Sequence, residues 1–207
     1  MSSDPDTTKS AVAVEPRPNE GERRLRADAQ RNHDRILAAA DEVLAVEGLS
    51  APIDEVALRA GVGVGTVYRH FPTREALYEA VVVARIERLV AEGLDRATAD
   101  DAGAAFFGFL SSLVEQGAQN VALVDALARA GYDVKVAKGQ VKARLFGALA
   151  ELLSRAQAAG AVRTDVDTED VIGLLAASCI TTDREGGAAA AQRRLGIIFD
   201  GLRPPPS

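Results

Sequence analysis

The fold of this chain is decided by residues Asp54–Leu77, which read DEVALRAGVGVGTVYRHFPTREAL. The pattern predicts a short helix, a glycine turn, a second short helix and, after Pro72, the start of a third helix. Gly61 stands where a left-handed backbone conformation would end the first helix and turn the chain sharply. Two helices joined in this way form a helix-turn-helix, whose second helix fits the major groove of DNA. The stretch therefore predicts nucleic-acid recognition.

The apolar and polar positions of this stretch fit the same motif. Val62 can fill the angle between the two helices, and Val67 with Phe71 supplies the inner face of the second helix. Thr73 can cap the next helix by accepting a hydrogen bond from the backbone of Ala76. The outward positions of the second helix are Val64, Gly65, Thr66 and Arg69, with Tyr68 and His70 towards the flanks.

The segment AGVGVGTVYRHFPTREAL, residues 60–77, resembles the DNA-binding segment of the TetR family of bacterial transcriptional regulators. In that family an Ala-Gly-Val turn leads into a recognition helix that ends in Tyr-x-His-Phe, with a basic residue three positions further on. The resemblance runs from about Arg31 to Leu94. The repeated Gly-Val and the sequence PTREAL resemble, more narrowly, the SbtR-like branch.

The resemblance implies roles on DNA for seven residues. The expected phosphate contacts are Tyr68, His70 and Arg74, with Thr66 at a phosphate or a base edge. The expected base contacts are Val64, Gly65 and Arg69. Arginine can bind guanine through two hydrogen bonds and valine can meet a thymine methyl group, whereas glycine allows a close approach without specifying a base.

Three positions depart from the family pattern. Pro52 replaces a threonine that often caps the first motif helix, and Gly63 replaces a frequent serine. Val64 stands where lysine is common. These changes remove hydroxyl and ammonium groups that relatives place on DNA, so a relative's operator sequence cannot be carried over to this chain.

Composition and charge set outer limits on the function. The chain has 207 residues and a net charge of −6, which fits one medium domain or two small ones. Residues 23–78 hold eight arginines and eight acidic residues, so the acidity lies outside the segment expected to face DNA. A basic edge on an acidic body still binds phosphate, with an affinity that depends strongly on salt. The arginines at the entry to the first helix are Arg23, Arg24, Arg26, Arg31 and Arg35.

The chain shows neither membrane nor secretory features. No run approaches the ~18 apolar residues of a membrane span, and the first residues contain acids rather than an apolar signal region. Cys179 is the single cysteine, which excludes an intrachain disulfide and is compatible with a reducing cytoplasm. A lone thiol on a buried face is usually inert.

The pattern predicts an all-α fold in three parts. Residues 1–22 are expected to be a disordered arm, whose basic end could follow the minor groove or could simply be solvated. Residues 23–78 are expected to form the helix-turn-helix head, in which helix 1 starts at Asp28 or Asn32 and ends at Gly48. Residues 79–203 are expected to form a helical body for effector binding and dimerisation. The further helices are predicted at Arg74–Leu94, Ala102–Gln116, Val121–Ala130, Lys135–Ala159, Thr168–Thr182 behind an Asp167 cap, and Ala188–Leu202.

Two apolar clusters in the body are candidate functional surfaces. In the resembled family, a body pocket binds a small molecule that releases DNA, and the last two helices pair with a second subunit. An apolar pocket would take a hydrophobic or aromatic effector, and the alternative for these residues is ordinary core. The candidate pocket residues are Phe106, Phe107, Phe109, Leu110, Leu127, Leu145, Phe146 and Leu149, near Leu123 and Tyr132. The candidate dimer residues are Val171, Leu174, Leu175, Ser178, Leu195, Ile198, Phe199 and Leu202, which could instead be buried within one protomer.

Other function classes find little support in the sequence. The GVGVG run, residues 61–65, lacks the preceding strand and the spacing of a phosphate-binding loop. His33 and His70 lie far apart in the sequence and the chain has a single cysteine, so no metal site is predicted. No nucleophile comes with a base and an orienting acid, and no cofactor or enzymatic activity is expected. The remaining alternative is an all-helical ligand-binding or scaffold protein with a weakened DNA-binding head.

Overall fold

A computed structural model describes residues 20–129, 138–179 and 187–205, and in these ranges the chain forms α-helices and no strand. The all-α prediction is therefore confirmed. The helices are α1 (Glu20–Glu47), α2 (Ile53–Ala60), α3 (Val64–His70), α4 (Arg74–Arg96), α5 (Ala102–Arg129), α6 (Lys138–Ala158), α7 (Thr168–Cys179) and α8 (Gly187–Leu202), with a 3-10 turn at Gly48–Ser50. None of the helices in the described ranges is long and apolar enough to cross a membrane.

Three helix ends form where the sequence places their capping residues. Gly61 ends α2 in the left-handed conformation, with a φ of 64°. The Oγ1 atom of Thr73 accepts a hydrogen bond of 3.1 Å from the backbone of Ala76. At the start of α7, Asp167 and Asp170 each accept a hydrogen bond from the other's backbone N–H, at 2.9 and 3.1 Å. These local signals are reliable because each satisfies backbone groups that the helix itself leaves unpaired.

The first helix begins earlier than the sequence predicts. α1 starts at Glu20 rather than at Asp28 or Asn32, so the last three residues of the predicted disordered arm are helical; residues 1–19 lie outside the described part. Residues 23–31 are all exposed, and Ile36 is the first buried residue of the helix. A helix that packs against nothing has no apolar stripe, and the stripe is the signal that predicts a helix.

The predicted pair of helices in 102–130 is one continuous helix, and the prediction of a break was wrong. α5 runs unbroken from Ala102 to Arg129 through Gly117. A glycine inside a helix costs only about 1 kcal/mol relative to alanine. That cost is outweighed here because the helix is anchored at both ends, by Phe106 in the body and by Leu123 beside the head. The start predicted for the next helix, at Lys135, lies outside the described residues, and α6 is seen from Lys138.

Two hydrophobic cores lie towards the two ends of α4. The head core packs α1, α2, α3 and the first half of α4, and it also takes in Leu123 of α5. The body core packs α5 to α8. The largest fully buried side chains of the head core are Ile36, Val43, Val56, Val67 and Leu77, and those of the body core are Phe106, Phe109, Leu110, Leu149, Leu152 and Leu202. With 23 residues, α4 is about 35 Å long and connects the two.

Gly93 sets how closely α4 approaches the body. A Cβ atom at this position would lie 2.9 Å from Cζ of Phe109 and 3.0 Å from Cβ of Ala148. These atoms belong to α5 and α6, so the missing side chain lets α4 pack against both helices at once. The position of the connector relative to the body therefore depends on this glycine.

We expect Gly93→Ala to lower the free energy of unfolding by about 1–2 kcal/mol. Overpacking a filled core costs ~1–3 kcal/mol, and the higher helix propensity of alanine returns up to ~1 kcal/mol. Gly147→Ala is the matched control, because Gly147 lies within α6 and a Cβ there meets nothing within 4 Å. Chemical denaturation followed by circular dichroism should show destabilisation for Gly93→Ala and a small gain for Gly147→Ala. Equal effects of the two substitutions would contradict the close-approach argument.

Candidate nucleic-acid interface

The turn between α2 and α3 holds the two helices of the motif at a fixed angle. The backbone N–H of Gly61 donates to the carbonyl of Leu58 at 3.1 Å, and that of Val62 donates to the carbonyl of Ala57 at 3.0 Å. This pair of hydrogen bonds closes the end of α2. Val62 is half-buried against the head core, as predicted for the residue that fills the angle.

α3 is anchored through one face and leaves the opposite face open. Val67 and Phe71 are buried in the head core, which confirms the predicted inner face. Gly65, Tyr68 and Arg69 are exposed and lie at positions i, i+3 and i+4 of the helix, so they share one side. A Cβ atom at Gly65 would meet nothing within 4 Å. The open face thus has no side chain at Gly65, near its start, and carries the Arg69 side chain one turn further along.

The other predicted contact residues are half-buried or already hydrogen-bonded within the head. Val64, Thr66 and His70 are half-buried, and Val64 packs against the head core. Arg74 is exposed, but its Nη2 atom donates a 3.0 Å hydrogen bond to the carbonyl of Ala51. Because a guanidinium has five N–H donors, this bond orients the Arg74 side chain and leaves other donors for a phosphate.

The two histidines, which are far apart in sequence, are neighbours in space. The rings of His33 in α1 and His70 at the end of α3 lie edge to face with centroids 6.0 Å apart. The ring of Phe71 lies 5.0 Å from His33 and 6.4 Å from His70. The described residues contain no group of three or more side chains suited to hold a metal ion. The histidine pair therefore braces the end of the recognition helix against α1, a contact that no sequence pattern signals.

Two further contacts fix α1 to the rest of the head. The Nη2 atom of Arg35 lies 3.4 Å from the carbonyl of Gly61 at the motif turn. Asp41 accepts a 2.5 Å hydrogen bond from Nε of Arg85 and a second bond from Arg88, both in α4. Arg85 is the only charged residue found buried among the described residues. Asp41 therefore joins the head to the connector through a pair of arginines.

The candidate pocket residues occupy the body core. Phe106, Phe109, Leu110 and Leu149 are completely or almost completely buried there, which favours the core interpretation for these four. Phe107 and Leu145 pack against that core from its edge, and Phe146 is half-buried with Nζ of Lys142 at 5.1 Å from its ring. Leu123 belongs to the head core instead, while Tyr132 and the side chain of Leu127 lie outside the described part.

Sequence reasoning missed a polar cluster beside this core. The Oε1 atom of Glu92 in α4 accepts hydrogen bonds from Nε of Arg96 at 2.9 Å and from Oγ of Ser112 at 2.5 Å. Gln116 donates to the other oxygen at 3.5 Å. The cluster ties α4 to α5, and nothing in the sequence indicates it because its members come from two separate helices.

Half of the predicted dimer stripe is buried inside the protomer, which is the alternative that the sequence leaves open for these residues. The four buried side chains are Val171, Leu175, Leu195 and Leu202. Ile198 and Phe199 are half-buried, and the Phe199 ring lies 4.9 Å from that of Phe107. The Ser178 side chain lies outside the described part. Helical spacing identifies the more apolar face, which here meets the protomer's own core.

A different face of α7 and α8 stays open. Leu174 is 42% exposed and Ile197 is 72% exposed. Gly173, Gly196 and Gly201 are also exposed, and a Cβ at any of them would meet nothing within 4 Å. Among the described residues, this exposed face thus combines small residues with two large apolar ones.

Comparison with known proteins finds a family match for each half of the chain. Residues 36–81 match the family described as bacterial regulatory proteins, tetR family, and residues 101–204 match the C-terminal domain of SbtR-like transcriptional regulators. A TetR transcription regulatory protein from Mycobacterium vanbaalenii has a similar structure, with a TM-score of 0.72 and 43% identity over 87% of this chain and 99% of that one. A TetR transcriptional regulator from Streptomyces coelicolor has a TM-score of 0.72 and 34% identity, over 84% and 99% of the two chains.

Curated relatives match over a shorter stretch. The HTH-type transcriptional regulator SrpR of Pseudomonas putida is 39% identical over 64 residues, which cover 30% of this chain and 30% of that protein. The matched segments span between 30% and 48% of the length of the three curated relatives. A match of about this length is the size of the DNA-binding head.

We expect Asp41→Asn to lower the free energy of unfolding by about 2–3 kcal/mol, because it leaves the buried Arg85 without a counter-charge. Breaking a buried ion pair costs ~3–5 kcal/mol, and the partial exposure of Asp41 reduces that figure. Glu42→Gln is the neighbouring control, since the pair that Glu42 forms with Arg59 at 3.6 Å is exposed and such pairs contribute ~0–1 kcal/mol. Denaturant titration measures the free energy of unfolding of both variants. If Asp41→Asn lowers it no more than Glu42→Gln does, the ion pair between Asp41 and Arg85 does not stabilise the head.

Proposed function

We propose a repressor function for this chain, which belongs to the TetR family of bacterial transcriptional regulators. Proteins of this family regulate transcription and are not enzymes. The proposal is that a homodimer binds a pseudo-palindromic DNA operator and releases it when a small apolar or aromatic effector binds in the body. Such a protein would act in the cytoplasm, on the bacterial chromosome. The observation that carries the proposal is the open face of α3 on a rigidly held head.

The open face of α3 suits the major groove of DNA. Arg69 can donate two hydrogen bonds to a guanine, and Gly65 allows the backbone to approach the base edges. Tyr68 on this face and Arg74 at the start of α4 are both exposed, and each can donate a hydrogen bond to a phosphate. Thr66 and His70 are half-buried and can each offer a polar atom to a phosphate. Since Val64 is partly covered by the head core, its contact with a thymine methyl group would be limited to an edge.

Dimerisation follows from the size of the recognition helix. α3 has seven residues and can read only a few base pairs, whereas two heads about one helical turn apart double the number of contacts. The open face of α7 and α8 around Leu174 and Ile197 supports pairing, because exposed glycines let two helix pairs approach closely. We therefore assign the dimer contact to this face rather than to the buried stripe.

Effector control is proposed from the composition of the body. The buried wall formed by Phe106, Phe109 and Leu149 offers only apolar contacts, so a molecule that enters there would be hydrophobic or aromatic. The polar cluster around Glu92 lies next to it, between α4 and α5. An effector that parts these helices would move α4, and the head moves with α4.

A second candidate function is a helical ligand-binding or scaffold protein with a weakened head. The observation in its favour is that neither motif helix has a side-chain cap. Pro52 precedes α2 and Gly63 precedes α3, and neither residue provides a capping hydrogen bond. Such a head would bind DNA weakly, without base preference, and would lose it at moderate salt.

We expect Arg69→Ala and Arg74→Ala to act differently on DNA binding. Genomic fragments selected by the full-length protein would supply the operator, and gel-shift titration against operator and scrambled duplexes would measure both variants. Arg69→Ala should weaken operator binding by ~1–3 kcal/mol and relax base preference, because it removes a base contact. Arg74→Ala should weaken all duplexes alike and lower the salt slope by about one for each bound subunit.

Two results would count against these DNA contacts. If both variants bind the operator as tightly as the wild type does, Arg69 and Arg74 do not make the assigned contacts with DNA. A wild-type protein that selects no fragment above scrambled DNA would instead favour the scaffold alternative.

We expect the protein to be a dimer at micromolar concentration, and Ile197→Asp to make it monomeric. A charge at the centre of an apolar contact would have to be buried unpaired. Leu58→Asp is the control, because Leu58 is 75% exposed but lies on α2 in the head. Light scattering measures the mass of each. A monomeric wild type, or a dimer that survives Ile197→Asp, would contradict the assigned face.

A further inference from the structure

The first half of α1 extends well beyond the head core. The helix begins at Glu20, and its first buried residue is Ile36. Residues 20–32, which precede the first contact with the head at His33, are thirteen residues at ~1.5 Å each and make an extension of about 20 Å. Residues 23–31 are all exposed. The protein thus orders a long helical segment that the head core does not use.

The contacts along α1 show towards which side this extension runs. Asp41 lies against Arg85 and Arg88, which are far along α4 in the direction of the body. Six residues earlier, Arg35 reaches the carbonyl of Gly61 at the motif turn. His33 then lies against the end of α3, close to where α4 begins. Towards its N-terminus, α1 therefore passes the motif turn and then the end of α3, and the extension leaves the head from this side.

The extension carries arginines that are available to an anionic partner. Arg31 is paired with Asp28, whereas Arg24 and Arg26 are exposed and form no ion pair with any described acidic side chain. Arg26 lies two turns from His33 on one face of the helix. Arg24 lies two turns from Arg31 on another face. Arg26 thus continues the face of α1 that meets the end of α3, and Arg24 continues the face that carries Arg31.

The shape of the extension decides how it can meet DNA. An α-helix with its side chains is about 10–12 Å across, and the minor groove of B-DNA is only ~6 Å wide. A helical extension cannot follow the minor groove, as an unfolded basic arm could. It can lie against the outside of the duplex, where arginines bind phosphates without reading bases.

We propose that residues 20–32 form a second DNA-contacting element, in which Arg24 and Arg26 bind backbone phosphates next to the base pairs that α3 reads. This inference rests on the proposed DNA-binding function. The element adds affinity for any duplex and no base preference. It also compensates for the phosphate-binding hydroxyl groups that are missing at Pro52 and Gly63.

The test compares Arg24→Ala/Arg26→Ala with a matched control in the full-length protein. Lys142→Ala/Arg144→Ala removes two exposed cations from α6 in the body. Each phosphate contact contributes ~0.9 to the slope of log affinity against log salt, so the α1 variant should lower the slope by about 1.8 for each subunit and about 3.6 for the bound dimer. Between 50 and 200 mM salt its affinity should therefore fall on the order of 100-fold less than that of the wild type. The control should keep the wild-type slope, and Arg24→Lys/Arg26→Lys should restore it.

Several outcomes would overturn the proposal. A wild-type salt slope in the α1 variant would show that these arginines do not contact phosphates, and a changed preference between operator and scrambled duplexes would show that they read bases. A changed mass by light scattering would assign the extension to contacts between subunits. If the wild-type protein itself prefers no sequence and Arg69→Ala has no effect, the proposed function fails, which is a different result from failure of the extension alone.

Discussion

The DNA-binding head depends on the ion pair between Asp41 of α1 and the buried Arg85 of α4. A buried guanidinium must be paired, because an uncompensated charge in the interior costs several kcal/mol. The pair therefore fixes the angle between the first helix and the connector. Since Arg88 binds the same carboxylate, a rotation of α4 about its own axis would break two contacts at once. Through this carboxylate the orientation of α1, and with it that of the recognition helix, follows the connector.

The head and the body are less separate than their sequences suggest. Leu123, near the end of α5, is buried in the head core, while Phe106 and Phe109 of the same helix are buried in the body core. One continuous helix thus takes part in both cores. A change in body packing can reach the head by two routes, along α4 and along α5. Gly93, where α4 touches both α5 and α6, is the point at which these routes meet.

The sequence predicts what depends on local chemistry and misses what depends on packing. The Gly61 turn, the Thr73 cap and the Asp167 cap are visible because each requires a particular residue type at one position. The extension of α1 is invisible because exposed arginines and glutamates show no period. Half of the predicted dimer stripe is buried in the protomer's own core, because spacing shows that a helix has an apolar face but not what covers it. Of the recognition helix, the inner residues could be predicted, whereas the contact between His33 and His70 required the fold.

The absence of side-chain caps on α2 and α3 is balanced by hydrogen bonds from neighbouring helices. Three backbone carbonyls around the motif accept bonds from side chains of α1 and α4, namely those of Leu49 from Tyr78, Ala51 from Arg74 and Gly61 from Arg35. A capping hydroxyl positions only its own helix, whereas these bonds position the motif relative to α1 and α4. The motif is therefore held by the same two helices that Asp41 joins to each other. Any ligand that shifts α4 acts on the whole motif at once, and the recognition helix moves as part of a rigid head.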